Sequence, residues 1–146
     1  MMKPFWEDRR LDQLTPAQWE ALCDGCGRCC LQKLKHPTTA KVDYTSVACR
    51  LLDLETCRCT AYPERRRLVR ECLELKPARI PGMSWLPKTC AYRLIAQGKP
   101  LPEWHPLISG DPQSIHRAGI SVRHKAVSET EIDPDQLERY ILPRRL

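Results

Sequence analysis

The 146-residue chain is poor in the material of ordinary protein cores. It has one phenylalanine, aromatic residues make up 6% of it, and its 42% hydrophobic content counts nine cysteines. Conventional apolar packing is therefore thin for a globular domain, although the length is enough for one compact unit with a core of its own. No apolar run approaches the length of a membrane span, and the start, MMKPFWEDRR, lacks the apolar stretch and small-residue cleavage site of a secretory leader. Neither membrane insertion nor export is expected. Glycine is scarce, 6 against 13 prolines, which argues against flexible linkers and for fixed turns and helix starts. No repeat, low-complexity tract or segment of unbalanced charge and low hydrophobicity marks a disordered tail. The expectation is a single domain over residues 1–146.

Nine is also an odd number for a disulfide framework, and without an export signal the thiols point to a reducing compartment, the cytoplasm, and to metal binding. Lys+Arg 24 against Asp+Glu 18 gives a formal charge of +6, which alone would hint at an acidic partner. Four thiolates around one zinc ion carry a net charge of about −2, so two such sites would offset most of that excess. Charge therefore gives no support to nucleic-acid binding.

Three helix starts share one device, a capping residue followed by proline: Thr15-Pro16, Asp111-Pro112 and Asp133-Pro134. In the first, Gln18 completes a capping box and Trp19 and Cys23 share one face, so the helix delivers Cys23 to its own end. The spacing of Leu68, Val69, Cys72 and Leu75 predicts a helix over about 63–75 with a solvated stripe of Arg65, Arg66, Arg67 and Arg70. Cys90 and Leu94 mark another over about 87–97, stopped by Gly98. Alternation predicts a strand over 120–127, with weaker candidates at 31–35 and 42–45 and a short closing helix after Asp133. The pattern reads as an α+β fold, mainly short helices with a few short strands, around a cysteine-rich metal centre.

The strongest signal is Cys23-Asp-Gly-Cys26-Gly-Arg-Cys29-Cys30, four thiols in eight residues at a helix end and its following turn. Two thiolates at CxxC spacing can curl around one ion, and Gly27 can take the positive φ that such a turn needs. Adjacent Cys29 and Cys30 fit one mononuclear ion poorly, because neighbouring side chains usually diverge. Farther along stand Cys49, then Cys57-Arg-Cys59, whose sulfurs share one side if that stretch is extended, then Cys72 and Cys90. All nine are candidate metal ligands, and Cys72 or Cys90 singly could equally be an inert buried thiol.

These residues, with Val47-Ala-Cys-Arg-Leu-Leu-Asp53, Tyr62, Leu86-Pro-Lys-Thr-Cys90-Ala-Tyr-Arg-Leu94, Trp104-His-Pro-Leu107 and Ile120-Ser-Val-Arg-His124, resemble the YcgN-type branch of the bacterial CxxCxxCC cysteine-cluster family. The likeness spans nearly the whole chain. It departs at Arg65-Arg66, where the wider family often has Arg-Pro, so the local turn there can differ. The resemblance implies zinc or iron chelation and no settled activity. Some flagellin lysine methylases carry a similar cluster, which by analogy keeps an iron-sulfur reading with redox or group-transfer chemistry open.

Zinc is satisfied by four thiolates, and eight of nine cysteines divide into two such sets. A [4Fe–4S] cluster could instead use Cys23, Cys26, Cys29 and one distant thiol at ferredoxin-like spacing, leaving five thiols unexplained. Zinc and iron both stay open at this point. His105 and His124 are weaker ligand candidates, His124 reading more naturally as a core histidine on the expected strand, and His36 and His116 look like loop residues. No Ser/His/Asp order, phosphate-cradling glycine loop or carboxylate pair is legible, and a catalytic cysteine cannot be told from nine ligands, so an enzyme is neither indicated nor excluded.

Overall fold

The computed structural model describes residues 4–7, 9–39, 41–143 and 146; Met1–Lys3, part of the stretch read above for a leader, lie outside them. The fold is mixed α+β, as expected. Helix α1 (Pro16–Ala21) starts on the capping box, Thr15 Oγ1 accepting from the Gln18 amide at 3.1 Å and Gln18 Oε1 accepting from the Thr15 amide at 3.0 Å. The sheet is small. Strands β1 (Leu31–Lys35) and β2 (Val42–Ala48) pair antiparallel, with an irregularity between Leu31 and Lys33, and β3 (Val127–Ser128) runs parallel to β2.

The expected strand over 120–127 does not form. Val122 plugs into the core, but Lys125 N donates to Val122 O and His124 takes a φ of +63°, a turn that leaves only Val127 in the sheet. His124 is thus an exposed turn residue near Glu55, not a core histidine. The long helix over 63–75 is likewise replaced by a 3-10 turn, Tyr62–Glu64, and one helical turn, α2 (Arg65–Leu68). Three successive arginines share that turn with Glu64 as their acid, and Val69 is already extended at φ −131°, ψ 106°. Both the local repulsion and a β-branched residue favour ending there.

Helix α3 (Ala91–Ala96) begins later than expected, because 87–90 form a turn closed by Cys90 N donating to Pro87 O; Cys90 becomes the capping residue. Gln97 and Gly98 end it, Gly98 at φ +69°. Helix α4 (Pro106–Ser109) is capped by His105, and α5 (Ser114–Arg117) follows the Asp111-Pro112 turn. Asp133-Pro134 opens a 3-10 helix, Pro134–Tyr140, which brings Ile141 to a bridge with Thr45 of β2. Among the described residues no helix is long and apolar enough to cross a membrane.

The apolar residues form two small clusters instead of one large core. The first gathers Leu11, Leu22, Ile80, Leu86 and Tyr92, the second Leu31, Tyr44, Leu52, Cys57 and Val122. Trp85 packs against both, and its carbonyl accepts from the Tyr44 hydroxyl at 2.8 Å. The seam between the clusters is where six of the nine cysteines lie.

Candidate metal centre

Helix α1 ends at Leu22, whose carbonyl accepts a 2.7 Å hydrogen bond from His105 Nε2 while His105 Nδ1 accepts from the Leu107 amide at 3.0 Å. Both ring nitrogens are used, so this fully buried histidine anchors the helix end before Cys23 and offers no lone pair to a cation. Tyr92 adds a second anchor, its hydroxyl donating to Trp19 O at 2.6 Å.

The chain then turns sharply. Gly25 and Gly27 both sit in the left-handed region, at φ +80° and +77°. A Cβ at Gly25 would meet the Arg58 guanidinium at 3.0 Å, and one at Gly27 would meet Val122 Cγ2 at 2.9 Å, so the motif is seated directly on its surroundings. Asp24 is 5% exposed: Oδ1 accepts from the Cys26 amide at 3.0 Å and, among the described residues, Oδ2 has no partner. Arg28 ties the turn outward, Nε donating to Ile120 O at 2.9 Å and Nη1 to Thr89 Oγ1 at 3.4 Å, next to Cys90.

Six thiols, Cys23, Cys29, Cys30, Cys49, Cys59 and Cys72, line one cavity of about 800 Å³ between the two clusters. Cys23 and Cys29 are solvent-accessible, but their accessibility opens into this cavity. The crowding of protein around the Cys23 thiol, with Cys29 and Asp24 nearby, pushes it up to about 12. Burial raises Cys26, Cys49 and Cys72 too, and lifts Cys90 to about 11.

Cys29 goes the other way. The neighbouring Cys30 thiol and then the Lys33 ammonium favour its thiolate, holding Cys29 at about 7, while Cys29 in turn drives Cys30 up. The 3-10 turn Arg28–Cys30 brings both thiols to the cavity wall.

Lys33 was not singled out from the sequence. Its ammonium donates to Cys29 O at 2.9 Å and Leu31 O at 2.7 Å, and stands over the Tyr44 and Trp85 rings at 5.1 and 5.4 Å. Burial lowers its pKa, and the nearby Cys29, Cys30 and Cys72 oppose that. The available signal was strand alternation: Leu31 is buried, so Lys33 two residues on faces the same side. Asp24 could have been found as the acid inside the CxxC turn.

Three expected ligands do not line the cavity. Cys57 takes φ +59° and packs into the second cluster at 3% exposure; the stretch is therefore not extended there, and Cys57 parts from Cys59, which pairs with Leu52 and faces the cavity. Cys26 is buried beneath the turn, and Cys90 is half-buried against the first cluster. His36 lies near Asp43, and His116 Nδ1 is 2.7 Å from Ser121 Oγ. Among the described residues no three Cys, His, Asp or Glu side chains are placed as they stand to hold one ion. The donor chemistry of the cavity suits a thiophilic cation nonetheless, with soft sulfur ligands in number and a lysine to moderate their charge.

Comparison with known proteins bears on the same stretch. The CxxCxxCC family profile, described as "Putative zinc- or iron-chelating domain", matches residues 22–91, which contain all nine cysteines. A UPF0260 protein of Gluconacetobacter diazotrophicus is 57% identical over 94% of this chain and 85% of its own length. One from Rhizorhabdus wittichii is 54% identical over 99% and 97%, and one from Azotobacter vinelandii 52% identical over 98% and 96%. No solved structure matches. With identity at this level along nearly its whole length and the thiol-bearing stretch inside the profile, the chain belongs to the UPF0260 family of CxxCxxCC cysteine-cluster proteins.

Proposed function

We propose that this chain, one domain over residues 1–146, is a cytoplasmic zinc- or iron-chelating protein whose cysteine thiolates bind the ion. The observation that carries the reading is the cavity itself: six thiols from four separate stretches of chain meet in the seam between two small apolar clusters. A cation there would join the α1 turn, the end of the β1–β2 hairpin, the Cys59 bridge and the segment bearing Cys72. Structural zinc in peptide systems supplies roughly 10–16 kcal/mol of apparent folding free energy, enough to matter where the apolar core is thin.

Most of the cavity thiols are held protonated by burial, so loading must release protons and affinity must rise with pH. Cys29, already held low and beside Lys33, is the thiol poised to meet the ion first. The test is anaerobic purification with metal analysis and a visible spectrum, followed by thermal melts before and after chelation. Stoichiometric zinc or iron and a sharp loss of helicity and Tm on chelation are expected. A chain indifferent to complete metal removal would refute the reading, and colour that bleaches on reduction would transfer it to an iron-sulfur protein.

A further inference from the structure

We infer that eight of the cysteines form two four-thiol centres that meet at the Cys29–Cys30 step: an inner centre of Cys23, Cys26, Cys29 and Cys90, backed by Asp24, and an outer centre of Cys30, Cys49, Cys59 and Cys72. Cys57 belongs to neither. The inference rests on the chelation reading above and assigns its ligands; the class of ion it takes is a thiophilic divalent cation.

The geometry divides the thiols in this way. Cys30 and Cys49 face each other at the end of the hairpin, where Leu31 pairs with Ala48 and Cys49 N donates to Cys30 O at 2.9 Å. Cys59 joins them through its bridge to Leu52, whose own amide donates to Cys49 O at 2.9 Å. Cys72 comes from the segment after α2 and closes the same cavity from the opposite wall. Cys49 and Cys59 both bear on Cys30 and on Cys72, and Cys29, at the step between the centres, bears on both as well.

On the other side of the step, Cys23, Cys26 and Cys29 share one glycine-shaped turn, and the Arg28 to Thr89 bond draws the Cys90 end of the 87–90 turn toward it. Asp24 bears on all four of these thiols. Among the described residues its Oδ2 is buried without a partner, an arrangement that costs stability unless a positive charge or a donor comes to it. A cation among the four thiols supplies that charge. Each cysteine has a single heavy-atom torsion, and closing four thiols on an ion requires them to turn from the positions they hold here. Cys57, by contrast, is locked in the second cluster, its Cβ 3.3 Å from where a Gly27 Cβ would sit.

The experiment is a Co(II) titration of the reduced full-length chain, read by thiolate charge-transfer absorption, with cadmium NMR on the same variants. The parent chain should take two ions and show two cadmium resonances. Cys90→Ser and Cys26→Ser should each lose one resonance, Cys59→Ser and Cys72→Ser the other, and Cys57→Ala should keep both. Asp24→Asn should weaken the inner site about tenfold and spare the outer, the effect usual for a group behind the ligands. One ion in the parent chain, loss of metal in Cys57→Ala, or one resonance lost from both groups of variants overturns the division while leaving chelation standing. No Co(II) bound by the parent chain overturns both. Should Cys26→Ser fail to fold, Cys90→Ser against Cys72→Ser, two half-buried positions, still decides the matter.

Discussion

Gly27→Ala should destabilise the chain far more than Gly98→Ala, although both glycines have nearly the same backbone. Gly27 sits at φ +77° and Gly98 at φ +69°, so an alanine at either site bears a left-handed strain of about 1–2 kcal/mol. Beyond that the sites differ. Among the described residues nothing lies within 4 Å of a Cβ built on Gly98, whereas at Gly27 it would stand 2.9 Å from Val122 Cγ2 and 3.3 Å from Cys57 Cβ. Val122 and Cys57 are both buried in the second cluster and cannot swing into solvent. Overpacking of that kind costs about 1–3 kcal/mol, bringing the Gly27 total to about 2–5 kcal/mol against about 1–2 for Gly98. With a urea dependence of about 1–3 kcal/mol per M, the Gly27→Ala midpoint should fall roughly 1 M below that of Gly98→Ala. Urea unfolding of the reduced chain, followed by far-UV circular dichroism, measures it. Equal midpoints would mean that the thiol turn is not seated on Val122 and Cys57, and the account of how the motif is positioned would be wrong.

Cys29 should be the first thiol to react with iodoacetamide in the metal-free chain, its rate rising through pH 7, while Cys23 and Cys90, held near 12 and 11, stay protonated and slow. Because its folded pKa lies below the ordinary 9.0, the Cys29 contribution to stability is full above pH 9 and is lost as pH falls through 7; Lys33→Met should move the labelling midpoint upward, and an unmoved midpoint would contradict the role given to the ammonium. His105→Leu leaves the Leu22 carbonyl and the Leu107 amide without partners, at about 1–3 kcal/mol each. Denaturation should show that loss with metal per chain unchanged, and a drop in metal content at an intact fold would restore His105 as a ligand.

What the sequence made legible was local. The capping box at Thr15, the positive φ at Gly27 and the strand pair at 31–35 and 42–45, which runs on to Ala48, are each specified by residues within a few positions, and each formed. The failures share a cause. The stripe Leu68, Val69, Cys72, Leu75 and the alternation at 120–127 looked periodic because Val69, Cys72, Leu75 and Val122 do turn inward, but they do so from irregular backbone, and Leu68 stands exposed. A core split into two clusters and joined by a thiol cavity does not require each inward residue to come from a regular element. Lys33 and Asp24 each carried a local signal, strand alternation and a place inside the CxxC turn, but what makes them matter is thiols drawn from as far along the chain as Cys72 and Cys90.

That division of the core also bears on the charge. An excess of +6 on a small chain would ordinarily suggest an acidic partner, yet part of it is spent inside the fold. Lys33, Arg50 and Arg65 line the thiol cavity, and the Arg58 guanidinium lies against Gly25, where it opposes the rise in the Cys23 pKa. Two zinc-bound sets of four thiolates would carry about −4 between them, and these four cations stand where that charge would appear. Burying thiolates without such neighbours would be prohibitive, since an unpaired charge in a low-dielectric seam costs several kcal/mol. The cavity also carries Glu20, Glu71, Glu74 and Glu129, so the cations beside the thiols moderate thiolate charge locally without accounting for the basic balance of the sequence. The corollary is directional: replacing Lys33 or Arg58 should weaken metal retention, whereas replacing exposed Arg66 or Arg67, whose partners are Glu74 and Glu64, should leave it unchanged.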